Sequence, residues 1–199
     1  MRPMQQPNLS VILGSTSVYR EELLTRLGIA FTTAKPEVDE TPWPDESPFA
    51  LAQRLALAKA KAVAAQRPDA VVIGSDQVAD LNGQPLGKPG SHDRAVAQLR
   101  AMSGQTIQFH TALSVVCLAS GFERSDVATV RVVFRTLKDD EIERYLRAEQ
   151  PYDCAGSAKS EGLGIALLSK IDSDDPTALI GLPLIRTCEL LRAAGVQVP

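Results

Sequence analysis

Apolar residues along this chain come either in short unbroken runs or at helical spacing, and the two patterns alternate, the rhythm of an α/β fold. Leu9-Ser10-Val11-Ile12-Leu13 predicts a buried strand, Gly14-Ser15-Thr16-Ser17 breaks it, and a helical pattern runs from Tyr19 to Leu27. Residues 29–33 predict a short strand. Residues 35–46, with three prolines and five acids, predict a loop. Ser47-Pro48 supplies an N-cap and a first-turn proline for a long helix to about residue 66, with Leu51, Leu55, Ala58 and Ala62 at helical spacing. Residues 71–75, VVIGS, predict a second buried strand with Asp76 at its C-terminal end, and Asn82-Gly83 predicts a hairpin turn. Ser91 caps a predicted helix carrying Ala95, Leu99 and Met102 that stops before Gly104. Residues 106–118 and 125–135 read as paired strands around Ser120-Gly121. A helix from Leu137 to Glu149, a glycine-rich segment at 155–164 and a last helix from near Pro183 to Ala194 complete the pattern.

These elements predict an α/β fold: a mixed sheet with flanking helices, forming two lobes around a central cleft. The expectation is one domain over residues 1–199, with residues 1–8 a short flexible N-terminus. Ligands of open α/β sheets bind beyond the C-terminal strand ends, where Arg20 and Asp76 would both lie.

A chain of 199 residues buries roughly 70% of its unfolded surface without disulfide staples. The net charge of −3 argues against a non-specific binder of nucleic-acid polymers or membrane surfaces. Cys117, Cys154 and Cys188 are odd in number and fit neither a zinc ribbon nor a CxxC pair, so free thiols in a reducing cytosol are expected. The first residues lack a signal-peptide core and no apolar run reaches membrane-spanning length, which makes the cytoplasm the expected compartment.

The candidate chemistry begins at the first turn. Backbone N–H groups at a helix start attract anions, and Arg20 in the first helical turn can fork onto phosphate oxygens. The alternative is an ordinary strand-to-helix turn whose Ser and Thr residues cap the helix. Asp76 has two readings as well: a rigid carboxylate facing the cleft, or a strand-end residue capping a loop.

The segments GSTSVYREELLTRLGI, PEVDETP, LALAKAKAVA, VIGSDQV, GKP, CAGSAKSEGLGI and GLPLI occur in this order between about Leu9 and Leu191. As an ordered set they resemble the Maf family of nucleoside-triphosphate pyrophosphatases. The resemblance implies a Maf/ITPase-like fold and hydrolysis between the α- and β-phosphates of a nucleotide. It also implies a divalent cation, Mg²⁺ or Mn²⁺, and often a homodimer. GSDQ at 74–77, CAGSAKSEGLGI and Tyr19 after Ser-Thr-Ser look like the branch that cleaves 7-methyl-GTP; the dTTP/UTP branch typically reads GADT. Thr111-Ala112 departs from the common Thr-Gly. The rival readings are a dTTP/UTP or other modified-nucleotide pyrophosphatase, a nucleotide-responsive regulator of cell division, and, more weakly, a nucleotidyltransferase.

By resemblance, Asp76 accepts the proton of the attacking water and, with Glu40, holds the metal, whose remaining positions go to waters and phosphate oxygens. Ser15, Arg20, Lys59 and Lys88 are the expected phosphate binders, with Lys59 at the edge of its helix's apolar stripe. A 7-methylated guanine carries positive charge, which an aromatic face attracts and a carboxylate neutralises while accepting from the N1–H and N2–H₂ edge. Tyr19 and Glu161 are the residues expected to do this, with Gln77 as a hydrogen-bonding neighbour. The alternative places Tyr19 in packing and Glu161 in solvent. His92 and His110 show no metal-ligand spacing, and Asp172, Asp174 and Asp175 read as an acidic turn.

Overall fold

Val11–Gly14 (β1) is buried along its whole length, as its unbroken apolar run requires of a strand covered on both faces. The computed structural model describes residues 9–199; the expected flexible N-terminus, residues 1–8, lies outside the described residues. After β1 come α1 (Val18–Thr25), β2 (Thr32–Thr33), α2 (Pro48–Ala64), β3 (Val71–Leu81), β4 (Gln84–Leu86), α3 (His92–Met102), β5 (Thr106–Cys117), β6 (Phe122–Phe134), α4 (Asp139–Glu149), β7 (Leu168–Asp172) and α5 (Leu184–Ala193), with short 3₁₀ turns at Ala155–Ser157, Leu163–Leu167 and Ala178–Ile180.

The strands form one mixed sheet in the order β2-β1-β3-β5-β6-β7, with β4 added to β3. β1 runs parallel to β2 and β3, and the remaining pairs are antiparallel. Helices flank the sheet. On one face, α2 covers β3 through Val72, Gly74, Asp76 and Val78. On the other, α1 and α5 pack over Val71, Ile73, Leu113 and Val115, while α3 and α4 pack over Ile107, Phe109, Val130 and Phe134. A cleft is lined by α1 and α2 together with the segments that follow β2 and β4 and residues 153–161 and 179–181.

Most predicted elements stand where the pattern put them. Ser47 caps α2 by accepting the Ala50 N–H at 3.2 Å, and Asn82 and Gly83 take the positive φ angles that the β3–β4 turn requires. Three expectations need correction. Only Thr32–Thr33 of the run 29–33 forms strand. β7, which follows the glycine-rich segment, was not expected. Asp76 does not end its strand, because β3 runs on to Leu81. The parallel partner β1 stops at the pair Gly14↔Gly74, while the antiparallel partner β5 continues to Asp80↔Gln108. β4 rejoins the β1 edge only at Ala79. Residues 75–78 therefore border a gap in the sheet edge, and that gap opens into the cleft.

Candidate active site

A cleft of about 690 Å³, ample for a nucleotide, opens at this gap. Its lining brings together all nine residues expected from the sequence: Ser15, Tyr19, Arg20, Glu40, Lys59, Asp76, Gln77, Lys88 and Glu161. The gap explains why Asp76 and Gln77 both reach it although they point to opposite faces of β3.

The centre is an ion triad. The Lys59 ammonium lies 2.6 Å from Asp76 Oδ1 and 2.7 Å from Glu40 Oε1. Lys59 is not at the edge of the apolar stripe but on the buried face of α2, 6% exposed, and Asp76 is 8% exposed. The contact depends on Gly74, whose missing side chain lets the α2 backbone lie directly on β3. Glu40 comes from the acidic loop and is mostly exposed. Burial acts to raise its carboxyl, but the hydrogen bond and charge of Lys59, with Lys88 and Arg20 behind, outweigh burial and hold it below its ordinary value. Two carboxylates on one ammonium can share one metal ion, and the ammonium itself stands in for that cation. Among the described residues no group of three or more His, Cys, Asp or Glu side chains joins them. Such a donor set suits Mg²⁺ or Mn²⁺ completed by water and phosphate oxygens.

The basic end of the cleft is built on the first turn. Ser15 is buried, and its hydroxyl accepts the Ser17 N–H at 3.1 Å and an Arg20 N–H at 3.4 Å. Ser15 thus serves the turn and Arg20 together. Arg20 donates from Nε to the Gly181 carbonyl at 2.8 Å, which fixes the fork and leaves its terminal nitrogens toward the cleft. Burial pulls the Arg20 guanidinium below its ordinary value, while Asp76 and Glu40 pull it back up. Lys88 projects from a loop tied to α3 by Gln98, whose amide donates to the Gly87 carbonyl at 3.1 Å. Lys35 also lines the cleft. Sequence reasoning passed over it, although its place just after β2, the parallel neighbour of β1, was the available clue.

Tyr19, Glu161, Asp153 and Cys154 gather at the other end. Burial first, then Cys154, Asp153 and Glu161, push the Tyr19 phenol up. The Lys159 ammonium lies 5.3 Å from the Tyr19 ring centroid and 3.3 Å from Glu149 Oε1, a neighbour the sequence did not suggest. Gln77 has a second task. Its amide nitrogen donates to Thr111 Oγ1 and to the carbonyls of Ala178 and Leu179, all within 3.0 Å. It fastens the 178–181 turn, the same turn that takes Arg20.

The profile of the Maf family, described as Maf-like protein, matches residues 10–194. A 7-methyl-GTP pyrophosphatase from Polaromonas sp. is 70% identical over 198 residues, covering 100% of this chain and 89% of that protein. Proteins with the same name from Albidiferax ferrireducens and Burkholderia pseudomallei are 65% and 60% identical, covering 94% and 93% of this chain and 94% and 87% of their own lengths. The solved structure of the Staphylococcus aureus Ham1 protein superposes with a TM-score of 0.49 at 17% identity, over 65% of this chain and 73% of that one.

Proposed function

The chain belongs to the Maf family, and from that premise we propose that it hydrolyses 7-methyl-GTP to 7-methyl-GMP and pyrophosphate with a divalent metal ion. The observation that carries the reading is the pair Asp76 and Glu40 gathered on one cation at the centre of a cleft, between a basic end and an aromatic–acidic end.

Asp76, held rigidly in β3, accepts a proton from the attacking water. Glu40 and Asp76 would hold Mg²⁺ or Mn²⁺, which would supply Lewis-acid polarisation of the phosphate oxygens. Arg20, Lys88 and Lys35 take up the charge that grows on the departing pyrophosphate. Ser15 positions Arg20. At the base end, Tyr19 presents a ring to the cationic purine, and Glu161 opposes its charge and accepts from its N1–H and N2–H₂ edge. Gln77 sits between the two ends and keeps the 178–181 turn in place. Among the described residues no helix is long and apolar enough to cross a membrane.

The test is pyrophosphate release from 7-methyl-GTP, GTP, dTTP and UTP, for the parent protein and Glu161→Gln. The expected result is highest kcat/KM on 7-methyl-GTP, with the margin over GTP reduced in the variant. Faster cleavage of dTTP or UTP would replace this substrate with the pyrimidine one.

A further inference from the structure

Lys59 is placed to do something other than bind phosphate in the resting protein. Its ammonium is committed to the two carboxylates that the proposed function gives to the metal, at 2.6 Å from Asp76 and 2.7 Å from Glu40. Lys59 lies on the buried face of α2 with 6% of its surface exposed, so its head moves within the cleft rather than out into solvent. We propose that Lys59 is a resident counter-cation that a metal ion must displace from Asp76 and Glu40, and that the triphosphate is the partner to which the displaced ammonium turns.

The charges set the logic. Two carboxylates with one ammonium leave one negative charge. A divalent ion added while the ammonium stays gives an excess positive charge in a site that water reaches only from the cleft side. Metal alone is then opposed by Lys59, because the two cations share the same oxygens. A triphosphate removes the conflict by supplying new anionic oxygens within the same cleft. Metal and nucleotide therefore bind with positive coupling, and each strengthens the other equally. In the absence of both, Lys59 keeps Asp76, buried in β3, from standing as an unpaired charge. The inference rests on the proposed metal site, and it gives Lys59 two alternating partners where the sequence suggested phosphate alone.

The experiment measures Mn²⁺ binding by electron paramagnetic resonance, without and with a 7-methyl-GTP analogue carrying a methylene bridge between the α- and β-phosphorus atoms. In the parent protein Mn²⁺ alone binds weakly, and the analogue tightens it by about tenfold or more. In Lys59→Met, Mn²⁺ alone binds about tenfold more tightly than in the parent, since the competing charge is gone. The gain from the analogue shrinks correspondingly. Lys59→Gln, which keeps a hydrogen-bond donor without the charge, guards against a folding failure and behaves like Lys59→Met. Lys59→Arg, which keeps the charge, stays near the parent. A thermal melt gives an independent reading: Lys59→Met melts below the parent without metal and recovers more on adding Mn²⁺. If the parent binds Mn²⁺ with the analogue but neither neutral variant binds Mn²⁺ alone more tightly, the displacement is wrong and the metal site stands. If the parent binds no Mn²⁺ in either condition, the metal site falls and the displacement with it.

Discussion

A Cβ on Gly74 would stand 2.2 Å from the carbonyl oxygen of Ala56 and 2.5 Å from the amide nitrogen of Ala60. The glycine is needed for the room it leaves and not for an unusual φ. Strand and helix meet backbone to backbone, and Lys59 reaches Asp76 across that contact. Gly74→Ala is expected to cost about 2–3 kcal/mol or more by overpacking, read as a lower urea midpoint. Turnover should fall further than the stability loss explains, since the helix backs away from the carboxylates. Gly14→Ala, whose Cβ would meet its neighbours at 3.3–3.4 Å, is the milder control. A parent-like midpoint for Gly74→Ala would show that α2 shifts without strain.

Asp175, read from the sequence as part of an acidic turn, is 0% exposed. Its carboxylate accepts the Thr177 N–H and hydroxyl and, at 2.9 Å, the Ile185 N–H in the first turn of α5. The Thr177 hydroxyl in turn accepts the Leu184 N–H at 2.8 Å. Pro183 caps α5 without a side chain to offer, so Asp175 and Thr177 cap it from a distance, where the helix dipole favours a negative charge. The same contacts fix the 178–181 turn that holds Gln77 and Arg20. Asp175→Ala leaves several buried donors unpaired and is expected to cost about 1–3 kcal/mol, seen as a lower melting temperature. Asp175→Asn keeps one acceptor and should lose less. Equal melting of all three proteins would remove Asp175 from this role.

The same residue shows where sequence reading stops. Periodicity located β1, α2, α3 and the β5–β6 pair because each buries a face that local spacing reveals. It ended β3 at Asp76 because an aspartate after an apolar run reads as a terminus; the continuing partner β5, distant in sequence, decided otherwise. It put Lys59 near a stripe's edge from its helical offset to Leu55 and Ala62, whereas the structure buries it, a rare place for a lysine. The clue to its burial was the small-residue row Ala52, Ala56, Ala60 and Ala64, all fully buried, which permits close approach to a glycine in a strand. The motifs named the cleft residues from both ends of the chain. The pairing of Lys59 with two carboxylates, and of Lys159 with Tyr19, depends on side-chain directions that spacing does not carry.

Cys154 lines the cleft, yet its thiol is expected to react slowly. Burial, and then the charge of Asp153, push it from 9.0 up to about 12. A raised value means that the folded protein holds the neutral thiol. The stability this contributes is complete below pH 9 and is lost as pH rises through about 12. At pH 8 the native thiol should carry at least about a hundredfold less thiolate than an unfolded cysteine. Timed iodoacetamide labelling read by mass spectrometry, native against urea-unfolded, checks this. Labelling of native Cys154 at the unfolded rate would place the thiol in a wetter and less acidic setting.

Arg20 spends part of its guanidinium on structure, and the proposed function gives the rest to the substrate. Nε is engaged by the Gly181 carbonyl at 2.8 Å and one terminal nitrogen lies 3.4 Å from Ser15 Oγ, so the proposed function leaves the remaining donors for phosphate oxygens. A lysine has one nitrogen for both tasks. Bound to Gly181, it offers the phosphates little; turned to the phosphates, it leaves the turn without its charged donor. Arg20→Lys is therefore expected to raise KM for the nucleotide by roughly ten- to hundredfold, with a smaller fall in kcat. Lys88 is exposed, and Lys88→Gln should raise KM less, by an amount that fades as salt is added. The Arg20→Lys defect should persist in salt, because the guanidinium works from inside the cleft wall. Should both defects fade alike with ionic strength, Arg20 acts only as a diffuse charge, and its tie to Gly181 has no bearing on how the nucleotide is held.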